Sequence, residues 1–267
     1  VNQLADTYSQ FKEKILRKTG INLSSYKEAQ MKRRIESLAS RNGFNDLLDY
    51  YAMIDKNKEK FDEFINFMTI NVSEFFRNPE QWSIVETKLF PTLLQKNKDI
   101  KVWSAACSTG EEPYTITMIL SRLMPLNKIT VNATDIDDGA MAKAKAGVYA
   151  QSSLKNVPKD LKEKYFKQNA DGKFEISNEI KSRVQFKKHN LLKDSYIDKC
   201  DLIVCRNVMI YFTDEAKSEI YQKFSNSLKP DGVLFVGSTE QIIGPQQYDL
   251  KSLKTFFYGK TNGTTKI

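Results

Sequence analysis

The sequence predicts an α/β architecture: a mostly parallel sheet with helices on both faces, a small inserted β-subdomain, and a small all-α domain ahead of them. Three observations predict it. Residues 1–70 carry apolar patterns of helical period only. From Pro79 onward, strand-like runs alternate with helical ones, the pattern of a parallel sheet covered on both faces. That alternation is interrupted once, between Gly147 and Lys188, around the turn signal Ala170-Asp-Gly-Lys.

In the helical part, Leu4, Tyr8, Phe11 and Ile15 recur at helical spacing, and Thr19-Gly20 stops the run. A second helix is expected to open on a capping box, Ser25-Tyr-Lys-Glu28. It carries Met31, Ile35 and Leu38 and stops at Asn42-Gly43. Short helices over 44–53 and 58–69 complete a domain of residues 1–70. Residues 71–92 read as a linker and a connecting helix bearing Trp82, Val85 and Leu89, which ends near Phe90-Pro91.

Residues 93–260 form the α/β domain. Strands are expected at 100–103, 129–134, 201–205, 233–237 and 254–258, with helices at 114–124, 138–146 and 214–228. The small antiparallel subdomain covers about residues 150–182, after which 183–187 return to the main sheet. The polar tail 261–267 is expected to be disordered.

With 267 residues, 40% of them hydrophobic, the chain can bury a sizeable core. No apolar run approaches the roughly 18–20 residues that a membrane span needs, and no signal-peptide pattern opens the chain. Cys107, Cys200 and Cys205 lack metal-ligand spacing, so neither a disulfide framework nor a bound metal is expected. A reducing cytoplasm is the simplest location. The net charge of +8 favours an acidic partner, and on that ground nucleic acid, anionic lipid and an acidic protein surface all stay open.

The most informative stretch is Trp103-Ser-Ala-Ala-Cys-Ser-Thr-Gly-Glu-Glu-Pro-Tyr114, between a strand-like run and a helical one. Small residues at such a turn let a ligand approach the backbone, and the helix start supplies free N–H groups. Acids at that turn argue against a phosphate and for a ligand with hydroxyls or positive charge. S-adenosylmethionine fits, with its ammonium, its sulfonium and no phosphate. The second strand ends in Ala133-Thr-Asp135-Ile-Asp137, where an acid grips ribose hydroxyls; Asp135 is the ribose candidate and Asp137 a helix cap. After the third strand comes His189-Asn190-Leu191-Leu192. The Asn190 amide suits the edge of an adenine, and His189, the single histidine, reads as structural. The fourth strand ends in Cys205-Arg-Asn207-Val-Met-Ile-Tyr211-Phe, which brings Asn207 and Tyr211 to the same rim.

Taken together, Thr69-Ile-Asn-Val-Ser-Glu-Phe-Phe-Arg77, SAACSTGEEPY, ATDID, HNLL, CRNVMIYF and Gly232-Val-Leu-Phe-Val-Gly-Ser-Thr-Glu240 resemble the chemotaxis receptor methyltransferases, the CheR family, in family order over roughly residues 5–260. The resemblance implies a Rossmann-like class I methyltransferase domain that uses S-adenosylmethionine and releases S-adenosylhomocysteine. It also implies methyl transfer to glutamate side chains of chemotaxis receptors. Asn71, Ser73 and Arg77 match positions that reach the cofactor, and Glu111 matches the acid facing its charged end. Asp135 matches the ribose ligand, Asn190 and Leu191 the adenine contacts, and Arg206 and Asn207 the final rim contacts. Tyr211 matches the aromatic placed near the transferable methyl, and Arg77 can pair with the methionyl carboxylate or sit by the reacting centre as a fixed cation; both are expected to orient the substrate. A glutamate is ionised at neutral pH, so no general base is required.

On the second helix, Lys27, Arg34 and Arg41 lie seven residues apart on one stripe, drifting about 20° per heptad, with Arg33 beside it. That stripe is the expected docking face for the Glu-bearing helices of the receptor's cytoplasmic domain. Some family members bind a peptide at the receptor's carboxyl end through a glycine-rich turn in the inserted subdomain. Here the corresponding segment, Gln168-Asn-Ala-Asp-Gly-Lys-Phe174, holds one glycine, so that peptide is not expected to be required. A nucleic-acid methyltransferase is the rival enzyme reading. Neither an Asn/Asp-Pro-Pro-aromatic motif nor a Pro-Cys nucleophile is present, and no nucleic-acid partner is expected. A signalling module that senses the cofactor without turnover is the rival from another class. No coiled-coil repeat suggests a stable oligomer, so a monomer is expected.

Overall fold

The computed structural model describes residues 2–69 and 71–267, and side chains from Thr7 onward; Leu4, expected on the first helix face, lies outside the described side chains. The chain forms two compact units, Val1–Asn71 with Tyr211–Ser218, and Val72–Ile210 with Glu219–Ile267.

In the first unit, α1 (Asn2–Thr19) buries Tyr8, Phe11 and Ile15 on one face. Helix α2 (Glu28–Arg41) buries Met31, Ile35 and Leu38. The expected capping box does not form. Residues Leu23–Ser25 instead make a 3-10 turn, and α2 starts from Lys27 with no side-chain cap. The backbone explains the difference. Ser25 accepts from Thr213 N at 2.9 Å, Tyr26 bridges Phe212, and Lys27 N donates to Tyr211 O at 2.9 Å. That pairing fixes the backbone of 25–27, with Tyr26 extended, in a shape incompatible with a reciprocal cap. Helix α3 (Leu47–Lys56) is capped by Asp46, which accepts from Leu48 N and Asp49 N, and α4 (Lys58–Thr69) completes the set. Phe64 of α4 packs edge-on against Phe11 and Tyr50. Each fully buried aromatic of this kind contributes about 1.5–3 kcal/mol.

The second unit opens with α5 (Pro79–Ile84) and α6 (Phe90–Lys96), joined by a π-turn over Val85–Leu89. The helix expected to stop near Phe90-Pro91 thus continues past the proline. Phe90 N donates to Val85 O in the widened turn, which accommodates a ring that lacks an N–H. There follow β1 (Val102–Ala105), α7 (Glu111–Leu120), β2 (Val131–Asp135), α8 (Asp138–Ala146) and β3 (Val148–Tyr149). Next come α9 (Lys159–Tyr165), β4 (Phe166–Gln168), β5 (Phe174–Ile176), α10 (Asn178–Lys181), β6 (Val184–Lys188) and β7 (Cys200–Cys205). Helix α11 (Asp214–Ser227), whose residues up to Ser218 group with the first unit, β8 (Leu228–Val236), β9 (Leu250–Lys254) and β10 (Phe257–Lys260) finish the chain.

Seven strands form one sheet in the order β6-β2-β1-β7-β8-β10-β9. The first five are mutually parallel, and β10 and β9 add antiparallel. β1 has β2 on one side and β7 on the other, so chain order reverses there. Ligands of such sheets bind beyond the carboxyl ends of the strands at that switch point. β1 and β7 are buried throughout, as befits strands covered on both faces. The interrupted region forms its own antiparallel sheet, β3-β5-β4, with Asn169 accepting the N–H groups of Asp171 and Lys173 in the turn.

Two expectations change. The last strand is a hairpin, because Phe256 at φ 69° turns the chain back between β9 and β10. Tail residues 261–267, expected to be disordered, carry fixed contacts. Thr264 N and Oγ1 donate to Asp231 Oδ1 at 2.6 and 3.0 Å, and Lys96 pairs with the same carboxylate at 2.9 Å. Thr265 is buried, and these bonds bring the Asp231 carboxyl down to about 2. The polar residues that suggested disorder are themselves the anchors. Among the described residues no helix is long and apolar enough to cross a membrane.

Candidate cofactor site

The loop after β1 is held in a strained, specific shape. Ala106, Ser108 and Gly110 all have positive φ, at 58°, 48° and 93°. Two of these are not glycine, and such conformations persist only where their surroundings impose them. Asp135, at the end of β2, does part of this. Its Oδ2 accepts from Ser108 N at 2.7 Å, and its Oδ1 accepts from Asp137 N at 2.9 Å. The carboxylate therefore joins the loops that follow the two strands. Burial pushes its pKa up to about 6, against the pull of those N–H donors. Asp137 Oδ1 accepts from Ala140 N at 3.0 Å and caps α8. Gly110 is required for space as well: a Cβ there would lie 2.8 Å from Ala144 Cβ.

Glu111 occupies the first turn of α7 and is buried. Thr109 Oγ1 donates to it at 2.7 Å, and the Ser73 hydroxyl donates as well. Its donors are two hydroxyls and its own backbone N–H rather than a cation, so its charge is hydrogen-bonded without being neutralised. Burial holds its pKa above the usual carboxylate range. A carboxylate so placed at the switch point fits an ammonium ligand, and Asp135 beside it retains acceptor capacity for a diol.

Glu112, next to Glu111, has buried partners that the sequence did not reveal. It accepts from buried Ser104 Oγ at 2.7 Å, faces Arg206 at 4.0 Å, and burial pushes its pKa up to about 7. Adjacent positions on a helix face different ways, so Glu111 and Glu112 do different work. Arg206, expected as a rim contact, is turned into the unit, its side chain only 3% exposed. One terminal nitrogen donates to Arg77 O at 2.9 Å, Asn78 Oδ1 at 2.8 Å and Gln81 Oε1 at 3.0 Å. Its guanidinium also lies over the rings of Phe235 and Trp82. The reason is charge balance, since a buried arginine needs acceptors and Glu112.

Other predicted residues fall out as follows. Arg77 Nη1 donates to Val72 O at 3.3 Å. Asn190 Oδ1 accepts from Leu192 N at 3.0 Å and shapes the turn that presents buried Leu191. His189 stacks edge-on against Trp103 and Tyr196, and its pKa is lowered by burial, consistent with the structural reading. Asn207 follows β7 with φ 61°, its N donating to Glu240 Oε2 at 2.6 Å. Glu240 was missed too; its only sequence signal was the run that ends in it. Asn71 and Tyr211 belong to the first unit, where Asn71 Nδ2 donates to Thr69 Oγ1 at 3.0 Å.

Lys27, expected on the second helix, sits just ahead of α2 as its non-helical cap and is exposed; on α2 itself Arg33 and Arg41 are exposed, whereas Arg34 is half-buried. Arg34 donates to Phe67 O, and the Arg34 and Arg41 guanidinium groups each lie 4.6 Å from the Phe67 ring centre. Arg34 is thus partly committed to holding α2 against α4.

Comparison with known proteins agrees with this arrangement. Residues 71–257 match the family described as "CheR methyltransferase, SAM binding domain", and residues 6–69 match "CheR methyltransferase, all-alpha domain". A chemotaxis protein methyltransferase of Listeria innocua is 38% identical over 98% of this chain and 100% of its own length. One from Borreliella burgdorferi is 36% identical over 91% of each chain, and one from Salmonella typhimurium is 33% identical over 85% of this chain and 80% of its own. With both domains matched and these relatives aligned nearly end to end, the chain belongs to the CheR family of S-adenosylmethionine-dependent methyltransferases.

Proposed function

We propose that this protein transfers a methyl group from S-adenosylmethionine to glutamate side chains of chemotaxis receptors, giving glutamyl methyl esters and S-adenosylhomocysteine. Family membership supports the reaction class. The observation that carries the site is Glu111, a buried carboxylate held by hydroxyls at the sheet's switch point, where a cationic ligand end would be balanced.

The bound cofactor supplies a methyl on a cationic sulfur, and the acceptor glutamate is already an anion at neutral pH. The chain's task is therefore alignment and exclusion of water rather than proton transfer. Glu111 meets the charged end and Asp135 accepts from the ribose hydroxyls. Asn190 and Leu191 hold the adenine, and Asn71, Ser73 and Asn207 complete the set. Arg77 and Tyr211 orient the acceptor carboxylate as fixed donors. Arg206 contributes by fixing the Arg77 backbone. Lys27, Arg33 and Arg41, with Arg34 behind them, form the docking face for the acidic receptor helices. The single-glycine turn at Gly172 supports methylation without a receptor carboxyl-terminal peptide. The protein acts as a cytoplasmic monomer.

Incubation with methyl-labelled S-adenosylmethionine and receptor-containing membranes tests the reading. Base-labile label on receptor protein is expected. Label on nucleic acid would point to the rival enzyme, and absence of label to a sensing module.

A further inference from the structure

Glu240 closes the run Gly232-Val-Leu-Phe-Val-Gly-Ser-Thr-Glu240, and methyl transfer itself leaves it without a role. It is buried, 5% exposed. Its carboxylate accepts three backbone N–H groups: Asn207 at 2.6 Å, Met209 at 2.7 Å and Gly237 at 2.9 Å. The Val208 N–H points to it as well. A carboxylate is the only side chain with four acceptor sites and no donor, so it alone can close such a ring of N–H groups.

The geometry around it is tight. Asn207 sits at φ 61°, a left-handed conformation that asparagine adopts more readily than other residues with a Cβ. On the opposite side, a Cβ on Gly237 would lie 2.4 Å from Glu240 Oε2 and 2.8 Å from Asn207 N. The ends of β7 and β8 and the turn at 237–240 therefore close into one clasp, with Glu240 N donating back to Gly237 O at 3.0 Å.

We propose that Glu240 is a positioning residue for the cofactor: by gathering the N–H groups of 207–209 it fixes the backbone from which Asn207 presents its amide. The inference rests on the reading of Asn207 as a cofactor contact. Glu240 itself touches no ligand and acts through Asn207. The isosteric amide would keep the shape but set an NH₂ group against backbone N–H donors, so Glu240→Gln tests the charge and acceptor set rather than the volume.

The experiment is a double-mutant cycle read by calorimetric titration of S-adenosylhomocysteine into the full-length protein. Parent, Glu240→Gln, Asn207→Ala and the double variant are compared after thermal denaturation has shown each to be folded. Each single variant is expected to weaken binding about tenfold, and the double variant to match Asn207→Ala within about twofold. Losses that multiply in the double variant would overturn the inference, because Glu240 would then act on affinity independently of Asn207. Parental affinity in Asn207→Ala with a loss in Glu240→Gln would instead remove the reading of Asn207 on which the inference rests. Glu240→Asp, which keeps the carboxylate on a stem shorter by one carbon, is expected to recover part of the loss. If Glu240→Gln does not fold, the same cycle run with Glu240→Asp decides the matter.

Discussion

Arg206 donates to the carbonyl oxygen of Arg77 at 2.9 Å, a bond between residues 129 positions apart. The same nitrogen reaches Asn78 and Gln81, while Glu112 faces the guanidinium from α7. The end of β7, the start of α7 and the segment leading into α5 are thereby locked together in the second unit.

Replacing Arg206 by Met should cost about 3–5 kcal/mol, the usual result of stripping the partner from a buried charge. The loss should depend on pH with a definite sign. Burial already pushes the Glu112 carboxyl up to about 7 against the pull of Arg206, and without Arg206 it rises further. A raised carboxyl pKa means that the folded state prefers the protonated form, so the penalty is smallest near pH 5 and grows as pH rises through 7. Urea denaturation at pH 5, 7 and 8 measures it. Combining Arg206→Met with Glu112→Gln should recover part of the loss at pH 8 and little at pH 5.

Asp135 gives a pH prediction for binding. Its pKa is pushed up to about 6, although it already accepts from the backbone N–H groups of Ser108, Ile136 and Asp137. Protonation removes acceptor capacity that a ribose diol needs. Affinity for S-adenosylhomocysteine should therefore fall as pH drops through about 6, and Asp135→Asn should bind weakly with a flatter pH profile. Titrations from pH 5 to 8 read both. A steep parental profile preserved in Asp135→Asn would assign the effect to another group.

On α2 the basic residues separate by experiment. Arg34→Ala should destabilise the first unit by about 1–2 kcal/mol, because its guanidinium holds the Phe67 carbonyl and covers that ring. Arg33→Glu with Arg41→Glu should lower the melting temperature less than Arg34→Ala, since Arg41 gives up only an exposed contact with the Phe67 ring, and should raise the receptor KM. Melting curves and initial rates at varied receptor concentration distinguish the two effects. An unchanged KM would discredit the docking face.

Much of this molecule was legible in its sequence. The alternation of strands and helices located the sheet, and the small-residue turn Ala105–Gly110 and Asp135, joined by the Ser108–Asp135 hydrogen bond, marked the carboxyl ends of β1 and β2, because these signals are local in the chain. What escaped was non-local. The capping box at Ser25 failed because Tyr211 and Thr213, far along the chain, claim that backbone. The inward turn of Arg206 depends on Glu112 and Gln81, neither of which marks itself by spacing. Glu240 bonds to main-chain N–H groups, which leave no trace in residue identity. The tail showed only polar composition, whereas its order depends on Asp231 and Lys96.

The central claim is methyl transfer to receptor glutamates, and purified components test it most directly. The protein, S-adenosylmethionine and the cytoplasmic fragment of a chemotaxis receptor are incubated, and the fragment is peptide-mapped by mass spectrometry. The account predicts methyl esters confined to glutamate side chains, dependent on cofactor and greatly reduced by Arg77→Ala and by Glu111→Gln. A receptor fragment left unmodified by protein that binds S-adenosylhomocysteine tightly would contradict it.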